Sequence, residues 1–454
     1  MAKKIPLSGP IYCNVLPPGS KSMTNRALVC AALSDHVSYL AGVLDSEDTR
    51  VMIDALRALG LAVDHNPGQA TIRVEGCGGV FPNKQAEIYV ANSGTTARFL
   101  TAALATSKNC NYRIYGKPRM HERPIGDLIS ALHQLGADVR SEMENACPPV
   151  LIGQNGALAG HAMISGKISS QFLSALLLAA PVSVSEVVLS VEGELVSKPY
   201  IKMTLEVMRA FGVTVDTEDD YSRFRIPATA QYTQEQTGTF HYAVEPDASA
   251  ASYFFAAAAV TGGTVIVNGL SINSLQGDVR FCHCLERMGC RIQFDADSTT
   301  VTAPSANMLR GITVDMNAIS DTVMTLGVVA LFAQGPTRVI NVAHIRHKET
   351  DRIAALACEL RKFGAAVTEF EDGLEIVPPQ VFPEGEIAIH TYDDHRMAMS
   401  FAVAGLRVPG VVIRNPECVA KTYPGFFGDL EKACHGDTNQ SPKQNEVTSE
   451  TATV

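Results

Sequence analysis

Apolar positions run along the chain in two rhythms: a helical one that closes on an apolar residue and a glycine, then a short alternating one. The segment recurs as Ala55-Leu-Arg-Ala-Leu-Gly60, Ala131-Leu-His-Gln-Leu-Gly136, Val207-Met-Arg-Ala-Phe-Gly212, Cys284-Leu-Glu-Arg-Met-Gly289 and Glu359-Leu-Arg-Lys-Phe-Gly364. The glycines stand 76, 76, 77 and 75 residues apart, and a degenerate copy ends 72 residues further on at Gly436. Glycine just past a helix supplies the left-handed C-cap. Ala62-Val63-Asp64 or Ala366-Val367-Thr368 then starts a strand, completed after a turn by a second one. Each copy also holds an earlier helix rich in Ala and Leu, opened by a capping residue near Ser20, Asn92, Ser169, Asp247, Ser320 and Asp394. These first helices are apolar all round, so they are expected inside a layer with sheets around them. Strand, helix, strand, helix and paired strands make an α/β unit. Six such units of about 76 residues account for nearly all of the 454, and three in each of two domains is the predicted architecture. Tyr232-Thr-Gln-Glu-Gln-Thr-Gly-Thr239 is a polar, turn-rich candidate for one crossing between domains. Residues 437–454 lack apolar periodicity and are expected to form a disordered tail.

Composition bounds the partners. The chain is 46% hydrophobic, ample for a core at about 100–200 residues per domain. Lys plus Arg number 37 against 47 Asp plus Glu, a formal net charge of -10, which argues against a broad nucleic-acid surface. The 11 cysteines are scattered through apolar stretches, and Met1-Ala2-Lys3-Lys4-Ile5 is not followed by a secretory apolar run. The reducing cytoplasm is the expected compartment. The longest apolar runs, Ala250 to Val260 and Val323 to Ala333, reach about half of the roughly 20 residues that span a bilayer, so no membrane partner is expected.

The cations change this picture. Helix N-termini carry positive partial charge, and a cation placed there costs about 0.3–1 kcal/mol. The sequence puts cations there repeatedly. Lys21 follows the cap Ser20, with Arg26 a turn later; Arg123 precedes Pro124 and Lys198 precedes Pro199, each proline standing where a first helical residue is expected. In Lys348-Glu-Thr-Asp-Arg352 the four-residue spacing predicts two cations on one helical face. Asp394-His395-Arg396 opens the last of the Ala-rich helices. Singly, each has a plainer reading: Ser169-Ser170-Gln171 as a cap with a polar first turn, Asp321 as a first-turn acid, Glu349 as a counter-charge, His395 as a half-buried histidine. Recurrence in five of the six copies favours the other reading. Stacked units would aim these helix ends at a common cleft, a site for a small polyanion built from free N–H groups and convergent Lys and Arg.

Other chemistries lack their residues. There is no Gly-x-x-x-x-Gly-Lys-Ser/Thr phosphate loop, no dinucleotide fingerprint after a strand and no Gly-x-Ser-x-Gly elbow. Cys282-His283-Cys284 lacks the paired ligand spacing of a zinc site. Neither a metal nor a cofactor is expected.

The segments Gly19-Ser-Lys-Ser-Met-Thr-Asn-Arg26, Asn92-Ser-Gly-Thr-Thr-Ala-Arg98, Arg119-Met-His-Glu-Arg-Pro-Ile-Gly126, Ser169-Ser-Gln-Phe-Leu173, Ser197-Lys-Pro-Tyr200, Lys348-Glu-Thr-Asp-Arg352, Asp394-His-Arg-Met-Ala-Met399 and Ala420-Lys421-Thr422 resemble, in order, the 5-enolpyruvylshikimate-3-phosphate synthase family. The resemblance runs to about Ala433. It implies an inside-out α/β barrel fold, two domains each of three βαβαββ units with helices buried inside sheets. The domains would be 21–243 (shikimate 3-phosphate side) and 1–20 plus 244–436 (phosphoenolpyruvate side), the chain crossing near residues 20 and 243. It implies transfer of the enolpyruvyl group of phosphoenolpyruvate to the 5-hydroxyl of shikimate 3-phosphate, on the shikimate route to chorismate and aromatic amino acids, by a cytoplasmic monomer without cofactor. By position, Lys21, Ser22, Arg26, Ser169, Ser170, Gln171, Ser197, Tyr200, Asp321 and Lys348 would contact shikimate 3-phosphate. Lys21, Asn92, Gly94, Thr95, Arg123, Gln171, Arg352, Arg396 and Lys421 would surround phosphoenolpyruvate. Asp321 would take the hydroxyl proton and Glu349 exchange the C3 proton, with Lys21 as proton donor and phosphate clamp. The loop departs from the family pattern at Thr96 and Phe99, and His344 stands where some members carry Asn. A rival, the UDP-N-acetylglucosamine enolpyruvyl transferase, normally carries a reactive loop cysteine and lacks the Ser-Ser-Gln-Phe-Leu and Lys-Glu-Thr-Asp-Arg signatures. A non-catalytic phosphometabolite sensor would not need the carboxylates Asp321 and Glu349.

Overall fold

The computed structural model describes residues 2–153, 156, 158–233, 239–304 and 308–436. It is a mixed α/β structure of many small sheets and helices. The six recurring glycines all fall just past helices and all take positive φ: Gly60 93°, Gly136 90°, Gly212 86°, Gly289 111°, Gly364 84° and Gly436 73°. The helices they close are α2 (Glu47–Ala58), α4 (Gly126–Gln134), α6 (Lys198–Ala210), α8 (Phe281–Arg287), α10 (Arg352–Arg361) and α12 (Phe426–His435). The Ala-rich helices between them are α1 (Lys21–Leu33), α3 (Gly94–Leu104), α5 (Ser170–Ala179), α7 (Ala248–Thr261), α9 (Val323–Ala330) and α11 (His395–Gly405). Every residue of α3, α7, α9 and α11 is buried. Their lack of a polar face is a packing requirement, because they pack against other helices and against strands on the sides that water would otherwise reach.

One sheet pattern repeats. Strand Gln85–Tyr89 pairs in parallel with Asn111–Tyr115 across α3, and Asn111–Tyr115 then pairs antiparallel with Val150–Ile152, which pairs antiparallel with Val139–Ser141. Gly160–Ser165 with Val187–Glu192, and Thr313–Asp315 with Thr337–Ile340, head sheets of the same order. Two sheets complete the pattern with distant strands. Tyr12–Val15 pairs in parallel with Thr264–Asn268, and Phe240–Ala243 in parallel with Val37–Ala41. Ala2–Lys4 joins Val411–Arg414 antiparallel.

The buried apolar residues fall into two cores. One runs from Met23 to Val244; the other combines Ile5, Ile11 and Val15 with Ala248 to Ala433. The chain therefore passes between cores just before α1 and between Val244 and Ala248. The stretch Tyr232 to Thr239 is not that crossing: Tyr232 packs in the first core and strand Phe240–Ala243 still belongs to it, while 234–238 and the tail 437–454 lie outside the described residues. All 11 cysteines are free. No helix among the described residues is long and apolar enough to cross a membrane.

Candidate active site

The N-termini of the buried helices meet between the cores. Ser20 caps α1, Ser93 caps α3, Ser169 caps α5 and Asp394 caps α11, each side chain accepting from a first-turn N–H. The α3 cap is thus Ser93, one residue after Asn92. Two expected starts differ more. The segment after Met316 first makes a 3-10 turn, Asn317–Thr322, kinked at Ile319, so Ser320 and Asp321 lie on that turn and α9 begins at Val323. Pro124 lies before α4, which begins at Gly126; Pro199, by contrast, is in the first turn of α6.

A cleft opens between the cores. From the first core Lys21, Ser22, Arg26, Thr95 and Arg123 line it, with Ser169, Ser170, Gln171, Ser197 and Tyr200; the second core supplies Asp321 and Lys348. Asn92 and Glu349 line an adjoining opening.

Asp321 is the hub of the second core's side. Its Oδ1 accepts from Lys348 Nζ at 2.5 Å and Arg352 Nη1 at 3.1 Å, and its Oδ2 from Arg396 Nη2 at 2.7 Å, with Tyr200 Oη 3.1 Å from the same oxygen. Burial pushes its carboxyl up, but Arg396, Lys348 and Arg352 together hold it well below the usual carboxylate range. Lys348 and Arg352 do not converge by sharing a helical face. Lys348 ends the 3-10 turn Ala343–His347, and α10 starts only at Arg352, capped by Asp351. What unites them is the carboxylate between them. Arg352 also holds Asp394 Oδ2 at 2.7 Å and Glu349 Oε2 at 2.8 Å, so one buried guanidinium spans three carboxylates.

Glu349 is the second buried carboxylate, 8% exposed. Burial raises its pKa, but Arg352, Arg123 and Lys421 lower it more, and the net position is well below the usual range. Glu349 is therefore ionised at neutral pH. Lys421 Nζ donates to Asp48 Oδ1 at 2.9 Å and to the Asn92 carbonyl at 2.7 Å. Arg123 donates to the same carbonyl at 3.0 Å, and Lys21 Nζ lies 3.4 Å from Asp48 Oδ2. Asp48, which reads in sequence as an ordinary first-turn acid of α2, thus ties two predicted cations together.

Two cleft guanidiniums have no carboxylate partner among the described residues. Arg26 donates to Thr204 Oγ1 at 2.8 Å, to the Ser22 and Tyr200 carbonyls and to Ser174 Oγ, and lies over the Phe99 ring. Arg98 donates to the Gly94 and Pro124 carbonyls, with Nε unpartnered. Burial pushes the first down to about 10 and, with Arg123 beside it, the second to about 9. Such cations call for an anion from outside. Gly94 makes room for the pair: a Cβ there would sit 2.6 Å from Arg123 Nη2 and 2.8 Å from Arg98 Nη1. The sequence signal for Arg98 is a lone cation in a helix otherwise made of apolar residues, glycine and threonine.

A family model described as EPSP synthase (3-phosphoshikimate 1-carboxyvinyltransferase) matches residues 6–430. The chain belongs to the EPSP synthase family. Among its relatives, a 3-phosphoshikimate 1-carboxyvinyltransferase of Nostoc punctiforme is 48% identical over 421 residues, covering 93% of this chain and 96% of the relative. A chloroplastic one of Arabidopsis thaliana is 46% identical over 427 residues, 91% of this chain and 81% of the relative. The solved structure of EPSP synthase from Acinetobacter baumannii superposes with a TM-score of 0.75 at 26% identity, over 95% of this chain and 98% of that one.

Set in the EPSP synthase family, the cleft accounts for most residues singled out from sequence. Gly94, Arg352, Arg396 and Lys421 are not among the residues lining it, and the three cations lie buried beside it in the contacts described above. Unanticipated were Arg98, Asp48 and Arg119, whose guanidinium donates to the Glu349 and Lys348 carbonyls at 3.1 and 3.3 Å across the cleft. His344, which replaces Asn of some EPSP synthases, lies 3.4 Å from Ser197 Oγ, and burial pushes its imidazole down to about 3. It stays neutral there.

Proposed function

We infer that the cleft binds phosphoenolpyruvate and shikimate 3-phosphate together and joins them at its floor. Family membership makes the chain a transferase of the shikimate pathway: it moves the enolpyruvyl group of phosphoenolpyruvate to shikimate 3-phosphate and releases phosphate. The observation that carries the site reading is Asp321, an ionised carboxylate held among three cations beside the cationic cleft.

In the addition step Asp321 takes the proton of the 5-hydroxyl as that oxygen bonds C2 of phosphoenolpyruvate, and C3 gains a proton from the Lys21 ammonium. In the elimination step the ionised Glu349 removes a proton from C3 as the bond from C2 to the phosphate oxygen breaks, restoring the enol ether. Arg123, Arg352, Arg396 and Lys421 hold the donor's carboxylate and phosphate, guanidinium forks suiting both; Asn92, Gly94 and Thr95 shape that side. Ser22, Arg26, Ser169, Ser170, Gln171, Ser197 and Tyr200 hold the acceptor's phosphate and hydroxyls, with Lys348 near them.

The same reading divides the chain into domains 21–243 and 1–20 plus 244–436, three units each around inward-facing helices in an inside-out barrel. The two cores and the two distant parallel pairings support it. A cytoplasmic monomer fits a cleft completed by one chain.

Phosphate release on mixing phosphoenolpyruvate with shikimate 3-phosphate, and none with UDP-N-acetylglucosamine, is the expected result; release with the nucleotide sugar alone overturns the reading. In single turnover, Asp321→Ala should slow formation of the intermediate and Glu349→Gln its breakdown to product, each by about 10²–10⁴. Near-normal formation in Asp321→Ala together with near-normal breakdown in Glu349→Gln removes the assignment.

A further inference from the structure

Behind the cleft a phenol lies between two carboxylates. Tyr200 Oη is 3.1 Å from Asp321 Oδ2 and 3.3 Å from Asp278 Oδ2. A phenol has one proton, so it donates to one carboxylate and turns a lone pair to the other. The second contact is attractive when the carboxyl facing it is protonated, and beside an ionised one it is tolerated only where cations offset that charge, as Lys348, Arg352 and Arg396 do at Asp321. Burial, then the charges of Asp278 and Asp321, keep the phenol's own pKa well above its usual value.

The two carboxyls are unequal. Asp321 is ion-paired with Lys348, Arg352 and Arg396. Asp278, on the 3-10 turn Gly277–Arg280, is 3% exposed, and no ion pair reaches it among the described residues. Ser249 Oγ donates to its Oδ2, and its Oδ1 is buried without a partner. A buried carboxylate so poorly compensated is costly, whereas its neutral form is not. The groups whose charge acts on it are Asp321 and Asp247, which favour the proton, and Arg396, which opposes it; burial is the largest influence, and the result is about 6.

We propose that Asp278 is a positioning residue that receives, through Tyr200, the proton Asp321 takes from the substrate hydroxyl. At rest both carboxyls are ionised and the phenol donates to Asp278. The 5-hydroxyl O–H bond breaks and an O–H bond forms on Asp321. That proton passes to Tyr200 Oη as the phenol's own proton passes to Asp278 Oδ2. Asp321 is again an anion among its cations, Tyr200 is a phenol as before, and Asp278 is neutral. No electrons change hands. The reverse transfer, through the phenol and Asp321 to the departing phosphate, resets the site. Asp278 thus spares Asp321 from staying neutral beside three unpaired cations.

The inference rests on the assignment of Asp321 as base. Its test is the pH profile of kcat for the parent, Asp278→Asn, Tyr200→Phe and the double variant, each checked for native circular dichroism. The parent should lose kcat below about pH 6, where Asp278 is already protonated. Asp278→Asn should lower kcat by at least about tenfold and abolish that acid limb. The double variant should be no slower than the slower single one, since both break one relay. A parent-like kcat and acid limb in Asp278→Asn, or losses that multiply in the double variant, overturn the proposal. Where Asp278→Asn does not fold, Ser249→Ala serves: removing the donor should move the acid limb to higher pH, and an unmoved limb counts against the relay. Asp321→Ala separates the two readings. If it turns over normally the base assignment fails; if it is inactive while Asp278→Asn is parent-like, only the relay fails.

Discussion

Gly94 shows how an absent atom can position charge. The guanidiniums of Arg98 and Arg123 close on the space its Cβ would fill, at 2.8 and 2.6 Å. Neither side chain can yield cheaply: Arg98 is pinned to the Gly94 and Pro124 carbonyls and Arg123 to both oxygens of Asn92. Gly94→Ala should therefore displace a phosphoenolpyruvate contact while sparing the proton-transfer groups. Steady-state kinetics at saturating shikimate 3-phosphate should show KM for phosphoenolpyruvate raised about tenfold, with kcat within a few-fold. An unchanged KM would mean that Arg123 does not meet this substrate. The glycine was legible in sequence because close approach needs a residue without Cβ. The two arginines it accommodates were not equally so. Arg123 drew notice beside a proline, whereas Arg98, buried in α3, has a role visible only once its lack of a carboxylate is known.

At the scale of elements, legibility tracked how local the cause is. The glycines that close the even-numbered helices were readable because a left-handed C-cap depends on one residue's backbone freedom. The caps Ser20, Ser169 and Asp394 were readable for the same reason. The 3-10 turn carrying Asp321 was not, since it is held by Asn317 bonding to Ser197 and Asn341 from other segments. Asp48 is a similar case. Its place in the first turn of α2 is local, but its partners Lys21 and Lys421 come from α1 and from the 3-10 turn Pro416–Lys421. Both it and Lys421 are buried, and breaking such a pair on one side strands charge. Asp48→Ala should thus cost about 3–5 kcal/mol in urea unfolding. Glu142→Ala, which breaks the half-exposed pair with Arg113, should cost about 1 kcal/mol or less. Equal losses would show that burial is not what gives the Asp48 contacts their weight.

The whole molecule sets charge against closure. The first core brings Lys21, Arg26, Arg98 and Arg123 to the cleft, and the second brings Lys348, Arg352, Arg396 and Lys421. A net charge of -10 over the whole chain conceals this local excess, which steers small anions inward. The contacts between the cores include Arg119 to the Lys348 and Glu349 carbonyls, Lys421 to Asp48 and Asn92, Ser197 to Asn317 and Tyr200 to Asp321 and Asp278. Mutual repulsion of the two cationic walls opposes these contacts until substrate dianions lie between them. Each substrate neutralises part of the charge, so both are needed for full closure. Small-angle scattering should show the radius of gyration falling when both ligands bind. The fall should be larger at low salt, because at about 0.15 M ionic strength charges beyond roughly 8 Å are already screened and the free protein is correspondingly less open. A radius that does not change with ligands at either salt concentration would mean that the cleft charges are compensated within the protein and that closure does not depend on the substrates.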